Sequence, residues 1–138
     1  MKIKESWVLH QPRVVWIIIS EWMDTLAILM NSKVYMLYDE GVLRSICCVK
    51  NYGRSQELGI VITRNKYRKK GYMSKLLRYV VKKYDKLYLI SYPELEKFYK
   101  KFGFRMIQNA PLPISVRANF YNFFARILGL KPVILMKR

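Results

Sequence analysis

Acidic residues are scarce in this chain. Nine stand against 26 basic ones in 138 residues, a formal net charge of +17. So one-sided a charge repels the folded chain from itself, and a polyanion relieves the repulsion: nucleic acid, an anionic membrane surface, an acidic substrate or a phosphate-rich small molecule. Cysteine is limited to Cys47 and Cys48. Adjacent in a strand-like run, they point to opposite faces, which excludes a disulfide framework and a thiolate metal site and makes a reducing cytoplasm the default compartment. His10 is the sole histidine, and beside the Pro12 turn it reads as structural or solvated. No metal is expected.

Long apolar runs are also missing. The longest, Val14–Met30, is broken by Glu21 and Asp24 and falls short of the roughly 20 residues that cross a bilayer. No membrane span is expected. The run reads as one or two packed helices, with a strand competing for its β-branched first half. Before it, Trp7–His10 reads as a short strand ending at Pro12. A polar Met1–Ser6 and the lack of a small-residue cleavage site argue against a signal peptide. There is no repeat, low-complexity stretch or linker, and the length predicts one domain, 1–138, burying about two-thirds of the surface of its unfolded chain.

What is present is organised around Gln56–Val81. Leu58–Thr63 is a short β-branched apolar run, the pattern of a buried strand. From Tyr72 the period changes: Met73, Leu76, Leu77, Val80 and Val81 form one apolar face of a helix. Between strand and helix lies Asn65-Lys66-Tyr67-Arg68-Lys69-Lys70-Gly71. A helix that opens at Gly71 aims unpaired N–H groups and a positive dipole end outward, a seat for phosphate. The alternative is a solvated basic turn. Upstream, Val34–Tyr38 and Val42–Lys50 form a hairpin about Asp39-Glu40-Gly41. Downstream, Leu87–Ser91 and Phe104–Gln108 read as strands and Ala110–Pro113 as a stiff bend. Ser115–Leu130 reads as a helix stopped by Gly129, and Pro132–Met136 as a last strand.

Arg68-Lys69-Lys70-Gly71-Tyr72-Met73 resembles the coenzyme A diphosphate motif Q/R-x-x-G-x-G/A of the GCN5-related N-acetyltransferases, the GNAT superfamily, with Met73 at the final Gly/Ala position. Leu95–Phe104 resembles the later F-Y-x-K-x-G-F signature of the same family. The resemblance implies a GNAT-like α/β (α+β) fold: a mixed, mostly antiparallel central sheet flanked by helices, here with an extra helix before the last strand. It implies acetyl transfer from acetyl-coenzyme A to a primary amine, without a metal. The diphosphate would lie on Arg68, Lys69, Lys70, Gly71, Tyr72, Met73 and Ser74, and main-chain groups of Val61, Ile62 and Thr63 would meet the thioester and pantetheine arm.

The same resemblance implies two catalytic side chains. Glu57, 11 residues before Arg68, takes the place of a glutamate base; otherwise it is an exposed strand-start residue. Tyr99 takes the general-acid position that protonates the departing thiolate. Tyr92 stands where many relatives have an asparagine on the pantetheine arm. Phe120, Tyr121, Phe123 and Phe124 read as core or as a wall of an acceptor pocket. A basic nucleic-acid-binding module on the same scaffold is the alternative function, and a homodimer is compatible with the sequence.

Overall fold

The computed structural model describes residues 1–20, 28 and 30–138. Most of the second half of the Val14–Met30 run, including Glu21 and Asp24, lies outside the described residues. The chain forms two compact units, Met1–Asn51 with Leu58–Tyr84, and Tyr52–Glu57 with Asp85–Arg138.

The first unit contains β1 (Lys2–Trp7), α1 (Pro12–Ser20), β2 (Lys33–Asp39), β3 (Val42–Asn51), most of β4 (Gln56–Thr63) and α2 (Tyr72–Val81). Its strands lie in the order β1-β2-β3-β4. β2 and β3 are antiparallel, and the hairpin turns on Glu40 and Gly41, both left-handed at φ +52° and +72°. That pair of angles matches the twist of the two strands. Four consecutive residues of β2 and six of β3 are buried, because helices cover both faces and simple in–out alternation is lost. On one face Val34, Met36, Ile46 and Cys48 pack with Val14 and Ile18 of α1. On the other, Tyr35 meets Tyr79 of α2 edge to face, and the apolar row Leu76, Leu77, Val80 and Val81 is buried. Both cysteines are buried, and neither forms a disulfide.

The β-branched stretch after Pro12 is a helix, the reading preferred over a strand, since proline is pre-set for a first helical turn and Val14 and Ile18, four apart, reach the core together. One expectation is corrected here. The opening strand is not Trp7–His10. It is Lys2–Trp7, paired antiparallel along β2 from Lys2↔Tyr38 to Trp7↔Lys33, and Val8–His10 is a 3-10 turn. As a sheet edge with no fully buried residue, β1 carries no hydrophobic pattern to read.

Glu5 on that edge accepts from Tyr79 Oη at 2.8 Å and pairs with Lys33 and Lys83. The Lys83 ammonium, then the Tyr79 and Lys33 groups, outweigh partial burial and hold its carboxyl down at about 2 against an ordinary 4.5. A depressed folded-state value means stability that is present above pH 4.5 and lost as pH falls towards about 2. Glu5→Gln is therefore expected to cost about 1 kcal/mol or less at neutral pH, since solvent screens the cluster. In urea unfolding the gap from wild type should close on acidification; a gap that persists in acid would mean packing, not charge, is at work.

The second unit contains β5 (Tyr88–Ser91), α3 (Glu96–Lys100), β6 (Arg105–Ile107), α4 (Leu112–Leu128) and β7 (Ile134–Lys137). β7 lies between β5 and β6 and is antiparallel to both. Its core includes Leu87, Leu89, Phe104, Ile114 and Met136. α4 starts at Leu112, so Pro111 and Pro113 frame its first turn, where a missing N–H costs nothing, instead of forming a separate bend. It stops as expected: Gly129 is left-handed at φ +69°, and Leu130 N–H closes on Ala125 O at 2.8 Å. The aromatics of α4 are not core, however. Phe120 and Phe123 are 65% and 61% exposed, because the buried face of the helix is the row Ile114, Ala118 and Ala125. The architecture is the expected α/β one, with mostly antiparallel strands, flanking helices and a helix inserted before the last strand.

Candidate active site

In the first unit the basic turn is a built structure. Tyr67 is buried at its centre, and the Arg44 guanidinium stacks over Tyr67 at 4.1 Å and over Tyr72 at 5.7 Å. Tyr72 Oη donates to Asp39 Oδ2 at 2.9 Å, tying the helix start to the hairpin. Arg68 Nε donates to Thr63 O at 3.1 Å, folding that side chain back along β4. Lys69 and Gly71 are both left-handed, at φ +62° and +80°, with Lys70 between them. Alternating backbone hand turns successive N–H groups into one concavity, the geometry that receives anions.

α2 then begins directly after Gly71 with no side-chain cap, leaving first-turn N–H groups for a ligand. Lys69, Lys70 and Arg68 are exposed around it, while Met73 and Ser74 are half-buried in the first turn. Met73 sits in ordinary helix, so its side chain does not disturb the left-handed turn before it.

β4 carries a feature that sequence pattern alone missed. Ile60 has φ +41° within the strand, a strained conformation for a β-branched residue and the mark of a bulge. The available signal was Gly59, since glycine inside a strand pattern points to a bulge or a close approach. Here the buried Lys50 stem passes so near that a Cβ at Gly59 would lie 2.9 Å from Lys50 Cε. Beyond the bulge Val61 and Thr63 are half-buried and Ile62 is buried. Thr63 Oγ1 shares a 2.7 Å hydrogen bond with Ser45 Oγ. Arg44 is the other residue left out; its signal was a cation inside the apolar run of β3.

In the second unit Glu57 is not an exposed strand-start residue. Its side chain is only 2% exposed, and Oε2 accepts from Arg117 Nη1 and from Tyr52 Oη, each at 2.6 Å. Arg117 Nη1 also donates to Tyr52 Oη at 2.9 Å, which closes a triangle. Burial and the Glu57 carboxylate, in that order, push the Tyr52 phenol well above its ordinary value, so it stays protonated and donating. Tyr52 and Arg117 gave no sign of this in the sequence.

Tyr99 on α3 is buried, its ring packed against Phe98 at 5.2 Å and Phe104 at 5.9 Å. Its carbonyl accepts from the N–H groups of Phe102 and Phe104 at 3.0 and 3.4 Å, so the Phe98–Phe104 signature also holds its own loop. Glu94 lies on the surface beside Lys131 at 3.5 Å. Its own backbone N–H, then Lys131, holds its carboxyl below the ordinary range.

Arg117 leads to a cavity of about 560 Å³ between α4, β5 and the approach to β7. Ile90, Val116, Phe120, Phe124 and Val133 supply apolar walls, with Tyr121 as the second polar group. Tyr121 and Tyr92 share a hydroxyl contact of 3.2 Å. Among the described residues no cluster of three or more His, Cys, Asp or Glu side chains is placed to hold a metal, and no helix is long and apolar enough to cross a membrane.

These features define an α/β protein with a left-handed basic turn opening an uncapped helix in one unit and, in the other, a buried carboxylate–guanidinium–phenol triangle bordering an apolar cavity. The family model described as the acetyltransferase (GNAT) domain matches residues 30–106, more than half of the chain, and the chain belongs to that family of acetyltransferases. No match was found among curated proteins.

Solved structures similar to it include the IAA acetyltransferase from Bacillus cereus, at 13% identity and TM-score 0.71, covering 99% of this chain and 97% of that one. A GNAT family acetyltransferase from Elizabethkingia anophelis with acetyl-CoA bound is 16% identical with TM-score 0.65, covering 99% and 95%. N-acetylglutamate synthase from Neisseria gonorrhoeae, complexed with coenzyme A and N-acetyl-glutamate, is 14% identical with TM-score 0.65; all of this chain aligns, but to only 35% of that longer one.

Proposed function

We propose that the chain acts as one acetyltransferase domain, moving an acetyl group from acetyl-coenzyme A to a primary amine in the cytoplasm. The observation that carries this reading is the turn at Lys69 and Gly71, two left-handed residues opening an uncapped helix amid exposed cations. The acetyl-CoA bound in the Elizabethkingia protein and the coenzyme A in the Neisseria protein support the choice of polyanion.

In this reading Arg68, Lys69, Lys70, Gly71, Tyr72, Met73 and Ser74 hold the diphosphate, chiefly through main-chain N–H groups. Val61, Ile62 and Thr63 line the pantetheine arm. An ammonium has no lone pair to attack with, so Glu57, or a water it holds, takes its proton. The strained strand at Ile60 presents main-chain N–H groups to the oxyanion that develops at the carbonyl, donors already in place before reaction. Tyr99 then returns a proton to the coenzyme A sulfur. No metal enters.

Acetyl-coenzyme A at ten times its dissociation constant is expected to stabilise the protein by about 1.4 kcal/mol in a thermal-shift titration. No shift at saturation would remove the first step. Gly71→Val should weaken binding about tenfold, because a β-branched residue held left-handed costs roughly 1–2 kcal/mol. Space is not the obstacle, since nothing lies within 4 Å of a Cβ there. Gly71→Asn, which tolerates the left-handed region, should therefore bind nearly as wild type.

The charge of +17 favours a second reading, a basic module that binds nucleic acid. Filter binding at two salt concentrations tests it, since affinity carried by phosphate contacts falls steeply with salt.

A further inference from the structure

We infer that the acceptor is a primary amine carried on an apolar body, aromatic or branched aliphatic, received in the cavity beneath α4. The inference rests on the acetyl-transfer reading and narrows its substrate. A volume of about 560 Å³ is that of a pocket for a small organic molecule. Its walls are Ile90, Val116, Phe120, Phe124 and Val133, and among the described residues no carboxylate lines it. Glu57, already paired with Arg117 at 2.6 Å, is the carboxylate beside it, and a polycation would find no second counter-charge among the described lining residues.

The cavity also bears on the chemistry. Apolar walls withdraw water from an ammonium and favour its neutral form, the form whose lone pair attacks a thioester. The carboxylate proposed as proton acceptor is tied to the same place, because Arg117 both lines the cavity and holds Glu57 at 2.6 Å. Val116, Phe120 and Phe124 remain 57%, 65% and 44% exposed, so these large side chains stand at a concave mouth instead of completing the core. A flat apolar body covers them and returns that surface from water.

The test is a panel of 2-(2-naphthyl)ethylamine, isoamylamine and spermidine at saturating acetyl-coenzyme A, with calorimetric binding of the naphthyl amine as a readout independent of turnover. The naphthyl amine is expected to show a kcat/KM at least about tenfold above that of spermidine. Phe120→Asp should raise its KM and Kd by about tenfold or more and leave the acetyl-coenzyme A thermal shift unchanged. Val116→Asp, at a second exposed position, should do the same should the first variant not fold.

Preference for spermidine, or naphthyl amine binding unchanged in both variants, overturns the inference while acetyl transfer stands. If the acetyl-coenzyme A shift is absent, acetyl transfer fails; naphthyl amine binding that disappears in Phe120→Asp would then still assign the cavity its ligand class.

Discussion

Arg117→Ala is expected to lower the free energy of unfolding by about 3 kcal/mol, at the low end of the range for breaking a buried ion pair. Glu57 is 2% exposed and Arg117 31%, so the loss falls on the side that cannot recover. Without the guanidinium, a carboxylate sits away from water with the Tyr52 hydroxyl as its remaining donor in the triangle. For a chain of 138 residues this corresponds to a fall in melting temperature of roughly 10 °C. The reverse change should be much milder. Glu57→Gln keeps an acceptor for Tyr52, and the partly exposed Arg117 can turn to water, so about 1 kcal/mol is expected. The asymmetry between the variants is the measurement. Equal losses by urea unfolding would mean that packing around the pair, not the buried charge, sets the cost.

The same Glu57→Gln substitution should have its largest effect on turnover. Removal of a positioned base is expected to lower kcat by about 100-fold or more at neutral pH, while the shift caused by acetyl-coenzyme A persists, because the substitution leaves the left-handed turn at Lys69 and Gly71, the proposed seat of the diphosphate, untouched. The defect should shrink as pH approaches that of a free alkylamine, about 10.4 by analogy with lysine, since an amine already neutral needs no base. Wild-type turnover in Glu57→Gln at neutral pH would hand proton removal to another group and leave Glu57 as the anchor of Arg117. A large loss that does not recover with pH would mean instead that the triangle shapes the cavity, with no part in proton transfer.

Much of the fold was legible because its signals are local. The hairpin at Glu40 and Gly41, the start of α2 after Gly71 and the stop of α4 at Gly129 each rest on a few consecutive residues whose backbone angles only certain side chains tolerate. The edge strand Lys2–Trp7 was not legible, because it buries no residue fully and takes its shape from β2. α1 was legible as a helix, although its β-branched composition left a strand in competition, and the packing of Val14 and Ile18 is what decides between them.

By itself, then, the sequence determined the order of strands and helices, the basic glycine turn and the family to which both belong, since each depends on residue type and spacing along the chain. Tertiary structure decided which groups can act together. Glu57 and Arg117 are 60 residues apart, Ile60 is left-handed next to the point where the Lys50 stem approaches Gly59, and the cavity is walled by α4 aromatics that stand off its buried row of Ile114, Ala118 and Ala125. Burial and pairing belong to the folded surface, where desolvation makes a carboxylate depend on its partner, and no stretch of sequence carries that information alone.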